Sequence, residues 1–584
     1  MQSIRFTNLE ANLCTRASIE PAVASLTQPI STRAREPGFT QGKSTGVNEL
    51  STVDCHPINV APGLSRLFLD YCAGNAAVRP FYASLPPDPG WQQRPAIPPH
   101  WPQLIQLLAA QNPSEAAGPA LDKLRAGAGI VVTGQQVGLF GGPLFTPFKA
   151  ASALARARQA TAEGRSHVAI FWVASEDHDF EEINHVTFPG RRELHKLVYE
   201  KTPATPQPVG GIVLDESITR LIDQAWELIG PSDAMEALVA TYKPGRTFAQ
   251  AFEEFYAKVF GQQGLLILDG GGREFHRLGE PVLRAALERA DELHAGLADR
   301  NRELEALGYA PQVAVAGQSS LLFLLDGHTG ARVALKRLPK SAGEPEGIWQ
   351  AGRDKFSTNE LVGILESEPE RISPSALLRP VFQDFLLSTS LTIGGPAEIA
   401  YFAQSAVLFE KILKRLTPVE PRFSATLIEP AIGDLLRKQG LTLERIFAEG
   451  NASLAQMLAV RAMPIDGKKK LAATGSALET ELTPLLEWMQ TTDSGLGRSG
   501  ATAANKMRYQ MNRLRRLAAN FQLQRETSLA RDADAIGQAV FPNGGLQERL
   551  HGAAYYFARY GFELAETLTE LAADSCPGHR SLWL

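Results

Sequence analysis

Three times between residues 129 and 272 the chain repeats one pattern. A short unbroken run of apolar residues ends abruptly in a polar or glycine-rich exit. The runs are Gly129-Ile130-Val131-Val132-Thr133, His167 to Ala174 and Leu265 to Asp269. Runs this short, without alternation of apolar and polar positions, suit strands covered on both faces, as in a parallel sheet. Their exits are GQQVGLFGGPLF (Gly134 to Phe145), Ser175-Glu176-Asp177-His178-Asp179 and Gly270-Gly271-Gly272. The pattern predicts an α/β alternation with Val131, Val173 and Leu266 in neighbouring parallel strands. In such a sheet ligands collect at the carboxyl ends of the strands, where the first two polar clusters stand.

The remaining periodicity divides the chain. Residues 1–53 are rich in Ser, Thr, Pro and Gly, show no sustained period, and read as a disordered leader. Helical spacing occupies Leu64 to Gly74, Leu104 to Leu124, Ser217 to Thr241 and Phe248 to Phe260. From Pro311 the segments PQVAVAG, SSLLFLLDG and ARVALKRL, with Asp326-Gly327 and Thr329-Gly330 between the last two, predict β-hairpins of an inserted subdomain. The alternation returns through a strand-like Leu386 to Ile393 and Gly394-Gly395-Pro396-Ala397-Glu398, which opens a helix from Ile399 to Leu416. Pro421 to Glu429 reads as the last core strand. Beyond it the chain is helical and charged, with Met507, Met511, Leu514, Ala518 and Phe521 spaced as in a coiled coil, a surface suited to a second copy of the chain. The organisation expected is a leader at 1–53 and a core at 54–430 interrupted near 188–245 and 308–375. A coiled-coil arm at 431–535 follows, and then a helical segment at 536–584 that returns to the core.

Composition sets limits on this picture. A net charge of −5 over 584 residues argues against a general nucleic-acid binder, so the Lys and Arg residues flanking Met507 to Phe521 read as a solvated helix face. No run approaches the roughly 20 apolar residues of a membrane span, and the cytoplasm is the expected location. Cys14, Cys55, Cys72 and Cys576 are widely spaced, which predicts neither a disulfide framework nor a zinc motif.

The two loops carry the candidate chemistry. Gly134, Gly138, Gly141 and Gly142 permit close backbone approach. Thr146 before Pro147 reads as an N-cap followed by the first helical residue, which would turn a helix mouth toward the loop and form an anion seat. Lys149 would add a charge there, and Gln135 and Gln136 would add amide donors. The spacing is neither that of a P-loop nor GxGxxG. In the second loop His178 beside Asp177 and Asp179 has the construction of a proton-transfer group, with Glu176 adjacent. The plainer alternatives are a tight connection for the first loop and a solvated acidic turn for the second. HExxH and CxxC spacings are absent, so no dedicated metal site is expected.

TGQQVGLFGGPLFTPFKAASA, FWVASEDHDFEEINH, LLRPVFQDFLLSTSLTIGGPAEIAYFAQ and FPNGGLQER resemble, in order, the cysteine-adding enzyme family of bacillithiol biosynthesis. The resemblance implies a Rossmann-like core of nucleotidyltransferase type with connecting insertions, and a coiled coil used for homodimerisation. It also implies a ligase that joins L-cysteine to the amino group of glucosaminyl malate. Amide formation from a free carboxylate needs activation, which points to ATP or another nucleotide as cofactor, with phosphates held by the Gly134 to Lys149 segment. His178 would then accept the amine proton, and Arg379 or Glu398 would orient the acceptor. The HIGH and KMSKS signatures of adenylating relatives with this core are missing. The rival readings are an adenylate-forming enzyme or nucleotidyltransferase with another acceptor, and a nucleotide-binding scaffold without chemistry.

Overall fold

The computed structural model describes residues 53–584 apart from 87, 191–192, 316, 318, 339–346 and 575; the expected leader lies almost entirely outside the described residues. Strand β1 (Val53–His56) precedes helices Arg66–Cys72, Trp101–Gln111 and Gly118–Arg125. Strand β2 (Gly129–Gln136) leads through a tight loop to helix Phe145–Ala162, and β3 (His167–Ala174) follows. A hairpin of β4 (His185–Pro189) and β5 (Leu194–Val198) and the helices Ser217–Ile229, Asp233–Thr241 and Phe248–Phe260 separate β3 from β6 (Leu266–Asp269). A second insertion holds β7 (Ser319–Leu325), β8 (Arg332–Arg337), β9 (Ile348–Ala351), β10 (Asp354–Ser357) and β11 (Ile372–Pro374). Helix Arg379–Leu387, β12 (Leu391–Gly394), helix Pro396–Leu408 and β13 (Val419–Pro421) complete the central unit. Strand β14 (Ser424–Ile428) leads into the helical arm, and β15 (His579–Trp583) stands near the end of the chain.

The central sheet runs β13-β12-β2-β3-β6, with every neighbouring pair parallel. Strands β2, β3 and β6 are buried on both faces along most of their length, which is why their sequences run nearly continuously apolar. Val131, Phe171, Val173 and Ile267 enter one apolar cluster, whereas Ile130, Val132, Trp172 and Leu266 enter the other. Helix Phe145–Ala162 covers the first face with buried Ala150, Ala151, Ala153, Ala157 and Ala160, small enough for close packing beneath helix Glu563–Ala573. The chain begins the sheet at β2, builds outward through β3 and β6, and returns on the other side at β12 and β13. The direction of winding therefore reverses between β2 and β12, and a crevice opens there at the carboxyl ends of the strands.

Several expectations need correction. Pro421 to Glu429 is not the last strand of the core sheet. The backbone turns at Arg422, and β14 pairs parallel with β15, which pairs antiparallel with β1, in a separate three-stranded sheet. Leu386 to Ile393 is not one strand, because helix Arg379–Leu387 runs into it and ends at Ser388, whose φ is 46°. PQVAVAG forms no strand over its described residues. The helical segment expected at 536–584 is not continuous: Gly561, at φ 73°, separates helices Ala553–Tyr560 and Glu563–Ala573. Cys55 and Cys576, 521 residues apart, form a disulfide next to the β1–β15 pairing. Linear spacing gave no sign of this, since the two ends meet only through the sheet.

The arm is an antiparallel helical hairpin, Ile465–Thr492 and Ser494–Arg525, turned at Asp493, whose carboxylate caps the second helix by accepting from Leu496 N–H at 2.9 Å. A Cβ at Gly500 would lie 2.7 Å from Met489 Sδ, so glycine is what lets the helices approach near the turn. Arg508 and Glu479 form a two-bond ion pair across the hairpin. The expected apolar stripe divides between two faces: Met511 packs inward and Ala518 is half-buried, while Met507, Leu514 and Phe521 remain exposed, as does Leu517 beside them.

Candidate functional site at the carboxyl edge of the central sheet

Successive side chains of an extended strand point to opposite sides, and Gln135 and Gln136 at the end of β2 accordingly serve two different clusters. Gln136 Nε2 donates to Asp177 Oδ2 at 2.5 Å, joining the exits of β2 and β3. The other carboxylate oxygen of Asp177 accepts from the His178 backbone N–H at 2.7 Å and lies 3.5 Å from His178 Nδ1. Arg332 Nη1, from β8 of the inserted sheet, stands 3.2 Å from the same Nδ1. This guanidinium is nearly fully buried, stacks 3.9 Å over the Phe323 ring centre, and donates to Ser373 Oγ and Pro374 O, each at 3.0 Å. The second insertion thus places a fixed cation over the β3 exit. Burial first, and Arg332 second, hold the His178 pKa below its ordinary value, against the pull of Asp177 and Asp179. The ring is therefore neutral near pH 7, and the side chain is 38% exposed.

Gln135 faces the crevice between β2 and β12. Its Oε1 accepts from Lys149 Nζ at 2.8 Å; Lys149 also donates to Gly134 O at 2.7 Å and forms an ion pair with Glu398. Glu398 Oε2 accepts from Gly395 N–H at 2.7 Å, and Arg379 reaches the group through Tyr401, whose hydroxyl accepts from Arg379 Nη2 at 2.8 Å. Burial lowers the Lys149 pKa, Glu398 opposes that, and Arg422 and Arg379 add to it.

The candidate residues therefore fall into two groups on either side of β2. Gln136, Asp177 and His178 form one, with Asp179 beside them. Gln135, Lys149, Arg379 and Glu398 form the other. Glu176 belongs to neither, since its carboxylate pairs with fully buried His276 at 2.9 Å and ties β3 to helix Arg273–Leu278. Burial opposes charge on His276, yet Glu176 and the carbonyls of Ile372 and Pro369 raise its pKa overall.

The glycine loop differs most from expectation. Thr146 is not the N-cap; helix Phe145–Ala162 is preceded by Leu144 and encloses Thr146 in its buried first turn. Lys149 accordingly stands in the second turn. The physical reason is the segment around Gly552: Leu144 N–H donates to His551 O and Ala553 N–H to Gly142 O, both at 2.9 Å, and Pro143 bridges Gly552. Tyr242 donates to Gly138 O and accepts from Gly141 N–H, and Tyr256 donates to Gly141 O at 2.7 Å. Gly138 O, both backbone groups of Gly141, Gly142 O and Leu144 N–H are thus taken up by protein, and Phe140 is held at φ 51° against Tyr242. Glycine is required at position 141 for packing, because a Cβ there would lie 2.6 Å from the Phe255 ring.

Sequence reasoning missed Arg332, Arg422, Tyr401 and His276. The first two stand in or beside strands whose apolar neighbours drew attention to the sheet alone. Their roles depend on long-range packing that linear spacing does not encode. Among the described residues no cluster of His, Cys, Asp and Glu is arranged to hold a metal ion, and no helix is long and apolar enough to cross a membrane.

Comparison with known proteins covers nearly the whole described chain. Residues 53–423 match the N-terminal Rossmann-like domain of bacillithiol biosynthesis BshC, and residues 425–580 match the C-terminal coiled-coil domain of the same family. The chain is 39% identical over 542 residues to a Koribacter versatilis protein named "Putative cysteine ligase BshC", covering 90% of this chain and 99% of that one. Proteins of the same name from Solibacter usitatus and Salinibacter ruber are 35% and 30% identical, covering 82% and 88% of this chain and 88% and 95% of theirs.

Proposed function

The chain belongs to the BshC family of bacillithiol biosynthesis, the cysteine ligases, and from that premise we propose that it joins the carboxyl group of L-cysteine to the amino group of glucosaminyl malate. The supporting observation is the connected chain Gln136, Asp177 and His178 at the adjacent carboxyl ends of β2 and β3, met there by Arg332 from β8. Activation of the cysteine carboxylate by ATP or another nucleotide is part of this reading, and so is the nucleotidyltransferase-type use of the sheet edge.

Nδ1 of His178 has two competing partners, and they set the chemistry. In the arrangement observed, Arg332 Nη1 donates to Nδ1, so the neutral ring carries its proton on Nε2 and presents a donor. When an incoming anionic group takes up Arg332, Nδ1–H turns to Asp177 and Nε2 becomes a proton acceptor for the attacking amine. Asp177 is fixed for this role by Gln136. Arg332 then stabilises negative charge on the activated carboxyl group. The exposed stripe of Met507, Leu514, Leu517 and Phe521 supports homodimerisation through the arm.

The test is thiol formation from cysteine, glucosaminyl malate and nucleotide. His178→Ala is expected to slow it by about 10²- to 10⁴-fold with little change in melting temperature. Undiminished product from a folded His178→Ala chain would remove His178 from the chemistry. An exchange of pyrophosphate supported by a different amino acid would overturn the substrate assignment.

A further inference from the structure

Three strand exits converge beside the β2–β12 crevice. Gln135 is the penultimate residue of β2, Gly395 follows β12, and Arg422 follows β13, where its backbone N–H donates to Gly394 O at 2.9 Å. Gly395 is the N-cap of the 13-residue helix Pro396–Leu408. The first-turn amides of a helix have no carbonyl partner within it, and the dipole places positive potential at that end; here Gly395 N–H is already given to Glu398 and Pro396 has none, so the mouth offers the N–H groups of Ala397 and Glu398. Pro396 and Ala397 are accessible from solvent, unlike the first turn at Phe145, while Gly395 behind them is buried.

A second, independent feature lies in the same place. The Arg422 side chain is 3% exposed, and its two terminal nitrogens are held by Glu548 and Phe423 O. Its Nε is buried without a partner. That Nε lies 3.8 Å from the point a Cβ on Gly395 would occupy; Lys149 Cε lies at the same distance, and Glu398 Oε2 lies at 3.4 Å. A buried donor on a charged group is costly to leave unmade. Within this cluster three cations, Lys149, Arg379 and Arg422, face two carboxylates, Glu398 and Glu548, leaving one positive charge unmatched.

We propose that the crevice between β2 and β12 seats one substrate oxyanion, a carboxylate or a phosphoryl group, held by the mouth of helix Pro396–Leu408 and by Arg422 Nε. At Gly395 no side chain stands between that mouth and Arg422 Nε. The seat for negative charge thus stands on the opposite side of β2 from His178 and in a different loop from the glycine-rich one. The proposal deepens the ligase reading and rests on it for the substrate that supplies the anion: the nucleotide phosphate, the cysteine carboxylate or a malate carboxylate.

The experiment is titration calorimetry on the intact chain with four probes: inorganic phosphate, ATP, L-cysteine and L-malate. Gly395→Ala fills the seat while keeping an ordinary backbone, since φ is −77° and the new methyl meets its neighbours at 3.4 to 3.8 Å. Arg422→Lys removes Nε and keeps a cation beside Glu548. Each variant is expected to lose about tenfold or more in affinity for at least one probe. Loss for phosphate and ATP identifies a phosphoryl group, and loss confined to cysteine or malate identifies a carboxylate. A parent that binds none of the four, or folded variants that bind all of them as the parent does, would overturn the seat. Product formation is read separately. A parent that makes no thiol product, yet whose probe binding falls in the variants, overturns the ligase reading and keeps the seat.

Discussion

Removing the buried charge of Lys149 tests the crevice most directly. Its side chain is 5% exposed, and its ammonium group serves Glu398, Gly134 O and Gln135 Oε1 together. Lys149→Met keeps much of the volume but leaves a carboxylate and two oxygens without their donor. Breaking a buried pair from one side costs about 3–5 kcal/mol. Glu398 is 17% exposed and keeps Gly395 N–H, so the lower end, about 3 kcal/mol, is expected here. Glu398→Gln alone strands the ammonium, which retains Gly134 O and Gln135, and about 2 kcal/mol is expected. The double variant removes both charges, so its cost falls below the sum by about 2 kcal/mol, a coupling of the size seen for residues in direct contact. The assay is equilibrium urea unfolding of the parent, the two single variants and the double variant, followed by tryptophan fluorescence. Additivity within about 0.5 kcal/mol would refute the reasoning, because it would mean that the two groups do not interact in the folded chain.

Two further outcomes are expected. Burial pushes the fully buried His551 down to about 4, against the Gln538 carbonyl, so the folded chain binds fewer protons than the unfolded chain below pH 6.5. Its contribution is full above pH 6.5 and is lost as pH falls toward 4, about 3 kcal/mol in all. His551→Gln should remove that part of the acid slope in unfolding measured from pH 7 to 4, and an unchanged slope would place the acid sensitivity elsewhere. Leu517→Asp with Phe521→Asp should convert a dimer to a monomer in sedimentation while each chain keeps its helical circular dichroism, since both side chains are exposed in the single chain; a parent already monomeric at micromolar concentration would refute the arm as a dimer surface.

The division between sequence and tertiary structure follows the range of the interactions. The parallel strands at Val131, Val173 and Leu266 were legible because a strand buried on both faces must be continuously apolar, and the polar exits mark where burial stops. The inserted hairpin of β7 and β8 was legible from its turn residues, and the helical arm from apolar spacing. The facing of Gln136 and Asp177 followed from the adjacency of two strands. What the glycine loop does was not legible, since whether its N–H and C=O groups meet a ligand or Tyr242, Tyr256 and Ala553 depends on residues more than a hundred positions away. The Cys55–Cys576 link, the Arg332 contact with His178, and the convergence of Gly395, Lys149 and Arg422 have the same origin. Local sequence determined which segments became strands and helices, because propensity and burial act over a few residues. Only the closed sheet, by reversing its winding between β2 and β12, decided which charged side chains lost water together and so which could act on one another.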